Sequence, residues 1–236
     1  MTHNPTVRRP AAVIFDCDGV LADSEPIVNK VVAAELSARG WPLTPEGAGA
    51  TFLGMALPDM VPLIEAKVGA LPEGWMADFK ARVAETMALE VVPMPGAAPL
   101  LATLRAAGIP LAMASNSSRL ELSAKLGRLG FGDAFEGRVF SFEDVPNAKP
   151  EPDMYLAAAA ACGAEPADCV VIEDSATGAR AGVAAGCTVL GFAHATDPEE
   201  LLAIGVQAVF TRLAQLPELL GVPTSVDLTP VANARG

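Results

Sequence analysis

Apolar residues fall along this chain in short unbroken runs rather than in alternation. The runs are Ala11-Ala12-Val13-Ile14-Phe15, Ile109-Pro110-Leu111-Ala112-Met113-Ala114 and Cys169-Val170-Val171-Ile172, then Cys187-Thr188-Val189-Leu190-Gly191-Phe192 and Gln207-Ala208-Val209-Phe210. A strand covered on both faces has no wet side, so such runs predict buried parallel strands. Amphipathic stretches at 97–107, 119–129, 153–162 and 176–185 separate them. Gly108, Gly130, Gly163 and Gly186 each follow one of these stretches, where a left-handed residue closes a helix. Alternating β and α units predict an α/β fold built on a doubly wound, Rossmann-like parallel sheet.

One block breaks the alternation. Between 24 and 92 the patterns are helical only, at 27–38, 57–68 and 75–89. Placed between the first strand and the next βα unit, the block predicts an all-helical cap subdomain at 24–92 on a core made of 1–23 and 93–236. Its limits are Asp23-Ser24-Glu25-Pro26 and Val91-Val92-Pro93-Met94-Pro95, where prolines interrupt helix. Residues 221–236 read as a loose tail.

Composition narrows the function. A hydrophobic content of 51% over 236 residues supports a packed core. With 28 acidic against 16 basic side chains the formal charge is −12, and no basic run exceeds Arg8-Arg9. Such a chain repels a nucleic-acid backbone, and an anionic substrate would need cations supplied by the site itself. No apolar run approaches the ~18 residues that span a bilayer, and Met1 to Pro10 is polar. Cys17, Cys162, Cys169 and Cys187 form no CxxC pair, which points to buried, reduced thiols and a cytoplasmic location. The only histidines are His3 and His194, too few for a multi-histidine zinc site and a poor basis for a Ser-His-Asp triad. A monomer is the default expectation, and a dimer through an apolar face of the cap is the alternative.

In a doubly wound sheet, ligands bind beyond the carboxyl ends of the strands. Asp16-Cys17-Asp18-Gly19-Val20 follows the first run, Ser115-Asn116-Ser117-Ser118 the second, and Glu173-Asp174-Ser175 the third. Asn147-Ala148-Lys149-Pro150 precedes the helical stretch at 153. Asp16 and Asp18 lie two apart, so their side chains can share a direction. Carboxylates that close repel, raising one pKa or demanding a cation, and can divide labour between nucleophile and acid/base. Adding Glu173 and Asp174 gives an oxygen-only donor set suited to Mg²⁺. A phosphoryl group would find the Ser115 hydroxyl, the Asn116 backbone N–H near a helix start, the Lys149 ammonium and, as a second cation, Arg119. Each feature alone is commonly a helix cap or a solvated loop residue. Four in order, each at a strand end or in the adjoining loop, point to phosphoryl transfer on a small phosphorylated metabolite. Met55, Met60, Met76 and Met87 read as core of the helical block, and Asp23 and Glu25 as residues of a helix start.

With VIFDCDGVLADSEP at 13–26, ASNSS at 114–118, KPEPDMY at 149–155 and VVIEDSATGARAGVAAG at 170–186, the chain resembles the haloacid dehalogenase-like hydrolase superfamily. The resemblance runs from Ala11 to Leu219 and lies in the branch of β-phosphoglucomutase and the sugar-phosphate phosphatases. It implies an aspartyl-phosphate on Asp16, and Asp18 as acid toward the leaving group and then base toward water. It implies Ser115 and Lys149 on the phosphoryl oxygens, and Mg²⁺ held by Asp16, the Asp18 carbonyl, Glu173 and Asp174. The segment 24–92 would be a mobile cap, with Gly54 in its substrate-specificity loop.

Departures from the family's patterns sort the activities. A mutase of the β-phosphoglucomutase type carries a cap histidine where Val28 stands, and an arginine after the loop glycine where Met55-Ala56-Leu57-Pro58 stands. True haloacid dehalogenases lack the second aspartate, present here as Asp18. A phosphonate hydrolase needs a Schiff-base lysine from the cap, for which Lys30 is the nearest candidate. Stretches such as Phe140-Ser141-Phe142-Glu143-Asp144-Val145 resemble bacterial phosphatases of sugar-acid phosphates such as 6-phosphogluconate. The resulting expectation is a Mg²⁺-dependent phosphatase of a sugar or sugar-acid phosphate, with mutase and phosphonate hydrolase as alternatives.

Overall fold

The computed structural model describes residues 9–52, 55–194 and 196–223. The chain enters through strand β1 (Ala12–Phe15) and a short β2 (Ala22–Asp23). Four helices follow: α1 (Glu25–Ala38), α2 (Pro45–Phe52), α3 (Leu57–Val68) and α4 (Trp75–Glu90). The short β3 (Val92–Pro93) leads back into α5 (Ala97–Ala106), β4 (Leu111–Ser115), α6 (Arg119–Leu129), α7 (Gly132–Phe135) and β5 (Val139–Ser141). Then come α8 (Asp153–Ala161), β6 (Cys169–Glu173), α9 (Ala176–Ala184), β7 (Thr188–Phe192), α10 (Pro198–Ile204), β8 (Ala208–Phe210) and α11 (Leu216–Leu219).

Six strands form one parallel sheet in the order β5-β4-β1-β6-β7-β8. β1 is central, with Val13 opposite Leu111 on one side and Val170 on the other. Its side chains divide between two cores. Val13 and Phe15 join one cluster with Leu104, Leu213 and Leu216, while Ala12 and Ile14 join another with Met154, Tyr155 and Ala179. Both faces of the strand are therefore dry, which is why its sequence shows no alternation. The chain winds outward from β1 to β4 and β5, then crosses back to β6 on the other flank. The carboxyl ends of β1, β4 and β6 thus surround the switch point where a crevice opens.

The helical insertion is packed as well as placed. Glu35 on α1 accepts hydrogen bonds from Arg39 Nε (2.6 Å), Trp75 Nε1 (2.6 Å) and Arg82 Nη2 (2.8 Å), joining α1 to both ends of the first half of α4. Ile27, Leu36, Phe52, Ile64, Trp75, Phe79 and Met87 bury their side chains in a cluster continuous with the sheet's lower face. α4 also packs on α6 of the sheet layer. At the base, β2 and β3 pair antiparallel, Ala22 with Pro93 and Asp23 with Val92.

Seven elements were not apparent in the sequence: β2, β3, α7 and α11, each two to four residues long, and three longer ones with weak patterns. β5 is a short edge strand with two half-buried residues, so it lacks the long apolar run of its neighbours. α2 carries Gly47 and Gly49 within eight residues, a composition that disguises a helix. α10, seven residues long, is too short to show a period. Among the described residues no single helix is long and apolar enough to cross a membrane. Cys17, Cys169 and Cys187 are buried and Cys162 half-buried, all as free thiols.

Candidate functional site

The strand ends bring their polar residues to one cavity of about 140 Å³, lined by Asp16, Asp18, Ser115, Asn116, Lys149, Glu173 and Asp174 together with side chains of the insertion. Asp16 leaves β1 with its backbone N–H donating to the Ile172 carbonyl (2.9 Å), so the strand register itself sets it beside β6. Lys149 reaches in from the loop before α8 and donates at 2.7 Å to both Asp16 Oδ1 and Glu173 Oε1. Its backbone is fixed by Asn116, whose Oδ1 accepts from Lys149 N (3.0 Å) and whose Nδ2 donates to Lys149 O (3.1 Å). Asn116 thus enters the site through a side-chain clamp on the lysine loop, a role beyond the backbone donor expected of it.

Glu173 is wholly buried and richly bonded. Oε1 accepts from Lys149 and from Tyr155 OH (2.7 Å), and Oε2 from Asp174 N, Ser175 N and Ser175 Oγ at 3.0–3.1 Å. Asp174 differs: no hydrogen-bond donor among the described residues reaches its carboxylate. The second oxygen of Asp16 is equally without a donor there. Asp16, Glu173 and Asp174 can each offer one oxygen within 4.8 Å of the others. They face one ammonium, Lys149, so with all three ionised two negative charges would be in excess. An oxygen-only donor set with that excess fits a hard divalent cation such as Mg²⁺. Close backbone approach shapes the cradle: a Cβ on Gly19 would lie 1.9 Å from Asp174 Oδ2, and Gly19 takes φ +71°, open to glycine.

The Asp18 side chain turns away from that cluster. Ser115 Oγ (3.0 Å) and Ser117 Oγ (2.8 Å) donate to its Oδ2, while Ser24 Oγ and Lys125 Nζ donate to its Oδ1. Lys125 has no exposed side-chain surface and also meets Ser117 Oγ (2.8 Å) and Glu121 Oε1 (3.0 Å). The Ser115 hydroxyl is therefore engaged with Asp18. Ser118 caps α6, accepting from Glu121 N (3.3 Å).

Charge follows from these contacts. Burial, helped by Glu173 and Asp18, pushes the Asp16 carboxyl up to about 7 despite Lys149. Burial beside Glu173 and Asp16 also raises Asp174 well above the ordinary range. Burial would raise Asp18 too, but Lys125 and the bonds from Ser24 and Ser117 hold it down at about 2. Burial opposes charge on Lys149 and Lys125, yet their carboxylate partners push both upward. The two aspartates of one DxD are thus held in opposite states, Asp16 reluctant to ionise and Asp18 firmly ionised.

Two expectations need correction or delimitation. Arg119 does not line the cavity. Its Nε donates to Asp144 Oδ1 (2.7 Å) and its Nη2 to the Glu143 carbonyl (3.1 Å), beside a separate surface hollow. The Asp144 carboxylate and the Glu143 backbone carbonyl, on the turn after β5, capture the guanidinium before it can reach the strand ends. Gly54 lies outside the described residues. Met55, Met60 and Glu25, read as core and as a helix start, also line the cavity.

Lys125, Ser24, Ser117 and Tyr155 were not singled out as site residues in the sequence. Lys125 left a trace: Ser118, Leu122, Lys125 and Leu129 fall at helical spacing on one face, and a lysine within such a stripe calls for a buried acid. Ser24 and Ser117 left none, since only folding brings them to Asp18.

A protein-family model describing haloacid dehalogenase-like hydrolases matches residues 10–186. The 6-phosphogluconate phosphatase of Escherichia coli (strain K12) is 31% identical over 214 residues, 89% of this chain and 95% of that protein. Hexitol phosphatase A of the same organism is 34% identical over 193 residues, 80% and 85% of the two chains. Among solved structures, a haloacid dehalogenase family hydrolase from Deinococcus radiodurans with bound phosphate and sodium superposes with a TM-score of 0.71. It is 33% identical, and the match covers 90% of this chain and 96% of that one.

Proposed function

This chain belongs to the haloacid dehalogenase-like hydrolases, and from that membership we propose that it is a Mg²⁺-dependent phosphatase of small phosphomonoesters, in the class of phosphorylated carbohydrates. The two relatives named above are both phosphatases of such compounds, which supports the substrate class. The observation that carries the mechanism is Asp16: it sits at a strand end facing the cavity, with one oxygen fixed by Lys149 and the other without a donor among the described residues.

Asp16 attacks phosphorus with the oxygen that Lys149 leaves open and forms an aspartyl-phosphate that water then hydrolyses. Asp18 serves as acid and base. Its state beside Lys125 suits the second step, in which it takes a proton from water, and protonating the leaving oxygen requires it first to part from the lysine and take up a proton from solvent. Lys149 holds Asp16 in line and offers its charge to the phosphoryl oxygens. Asp16, Asp174 and Glu173, with the Asp18 carbonyl, would hold the magnesium ion. Bound there, the ion would neutralise charge on the transferring group and relieve repulsion among the carboxylates. The insertion 24–92 is the cap, closing over substrate and excluding water from the phosphoenzyme. Val28 lines the cavity at the position where a mutase has its histidine, and it offers no group for proton transfer, which favours hydrolysis over isomerisation.

Inorganic phosphate release from a panel of sugar and polyol phosphates tests the reading, with Mg²⁺, with chelator, and with Asp16→Asn. Turnover confined to the wild type in Mg²⁺ is expected. Equal turnover by Asp16→Asn would overturn the mechanism, and equal turnover in chelator would overturn the metal.

A further inference from the structure

The cavity has two unlike walls. Its floor is the polar cluster around Asp16, and its roof comes largely from the insertion. There Val28, Val32, Phe52, Met60, Phe79 and Val83 turn apolar surface toward the space above the aspartates. The insertion brings polar side chains to the lining at four places: Ser24, whose hydroxyl is given to Asp18, and Glu25, Asn29 and Lys80. Glu25 is itself an acid near Asp18. The Lys80 ammonium is bonded to Glu143 and lies 5.1 Å from the centre of the Phe142 ring, so its charge is already matched. Of the three besides Ser24, Asn29 is the neutral one. Leu53 and Gly54, between Phe52 and Met55, have no charged side chains. Among the described residues the cavity's cations are therefore Lys80 and Lys149, each held by carboxylates.

We propose that the roof selects a neutral leaving alcohol with an apolar face and rejects one bearing a second anionic group. The inference rests on the phosphomonoesterase reading and narrows it, against sugar acids and bisphosphates. A carboxylate carried under this roof would lose its water, meet no free cation and approach Glu25. A hydroxyl would lose water as well, with Asn29 as its partner on that wall. Discrimination of this kind arises from what the wrong ligand leaves unpaired, so it appears in binding and in turnover alike.

Three esters with the same CH₂–O–P attachment separate the possibilities: cyclohexylmethyl phosphate, glucose 6-phosphate and 6-phosphogluconate. For each, kcat/KM is measured on the full chain with Mg²⁺, and Kd on the full-length Asp16→Asn protein with Mg²⁺, which needs no turnover. The expected order in both is cyclohexylmethyl phosphate, glucose 6-phosphate, 6-phosphogluconate, with at least about tenfold between first and last. If 6-phosphogluconate equals or exceeds the cyclohexylmethyl ester in Kd, the inference is overturned, whatever the turnover. If all three release phosphate with the sugar acid preferred, the inference falls and the phosphatase reading stands. If none releases phosphate but the binding order holds, the phosphatase reading falls and the inference stands only as the roof's selection in binding.

Discussion

Lys125 and Asp18 form an ion pair in which the lysine has no exposed side-chain surface, and Glu121 completes a triad around the ammonium at 3.0 Å. The pair joins α6 to the loop after β1, so the helix that packs on the insertion also anchors an aspartate of the site. Removing one partner of a buried pair strands the other in a dry place. Lys125→Met is expected to destabilise the protein by about 3 kcal/mol, a fall in Tm on the order of 10 °C for a chain of this size. Thermal unfolding monitored by circular dichroism measures it, and an unchanged Tm would show that Asp18 and Glu121 find solvent or protons elsewhere.

Asp16 makes metal-free stability depend on pH in a direction opposite to most carboxylates. Its carboxyl is raised from 3.8 to about 7. Between those values the metal-free folded state keeps a proton that the unfolded chain has released. Stability from this group is full below about pH 4 and is lost as pH rises through 7. Asp18, lowered to about 2, acts only below pH 4 and does not disturb the window. In chelator, Tm should fall between pH 5 and pH 8, by the equivalent of a few kcal/mol at most. Mg²⁺ should restore more stability at pH 8 than at pH 5, because proton and ion compete for the same oxygens. Asp16→Asn should make the chelator profile shallower, the remaining fall coming from Asp174, whose carboxyl is raised by the same burial. A Tm that climbs from pH 5 to pH 8 in chelator would contradict the charge state assigned to Asp16.

Gly178 lies where α9 passes over Glu173. A Cβ there would fall 1.6 Å from Glu173 Oε1 and 2.0 Å from its Cδ. Glu173 cannot yield freely, since Lys149, Tyr155 and Ser175 all hold it. Gly178→Ala is expected to cost about 3 kcal/mol in stability and to lower kcat more than KM, because Lys149 moves with Glu173. Urea unfolding and steady-state kinetics on the same preparation check both parts.

Lys80 and Glu143 join the insertion to the sheet layer at the cavity edge, and Glu143 also accepts from Arg119 N at 2.9 Å. Glu143→Gln keeps an acceptor for Arg119 but frees the lysine's charge. The variant should fold with a Tm within a few degrees of wild type, since a partly exposed pair contributes only about 1 kcal/mol. Its Kd for 6-phosphogluconate should tighten several-fold relative to glucose 6-phosphate. An unchanged ratio would mean that the freed Lys80 does not reach the leaving group.

Much of the fold was legible because its signals are local. The run Cys169 to Ile172 matches β6 except for Glu173, a buried acid that ends the strand instead of following it. The stretch 57–68 coincides with α3. The strand-end rule also placed Asp16, Ser115 and Glu173 together, since adjacent parallel strands put their carboxyl ends at one edge. What stayed hidden was direction. Nothing in Asp16-Cys17-Asp18 says that one carboxylate faces Lys149 and the other Lys125, because both partners are more than 100 residues away. Arg119 misled for the same reason. Its place at the first turn of α6 was correct, but the Asp144 carboxylate and Glu143 carbonyl that claim it come from the turn after β5, a strand with too weak a pattern to locate.

The pairing of Ala22 with Pro93 and Asp23 with Val92 brings the two ends of the helical insertion side by side. From the sheet, four helices are equivalent to a single turn between neighbouring strands. A different cassette whose ends meet at the same spacing could be transplanted onto the same stem, leaving the register of β1, β4 and β6 and the carboxylates at their tips undisturbed. The sheet with its strand-end carboxylates and the helical insertion are thereby separable units of inheritance within one chain.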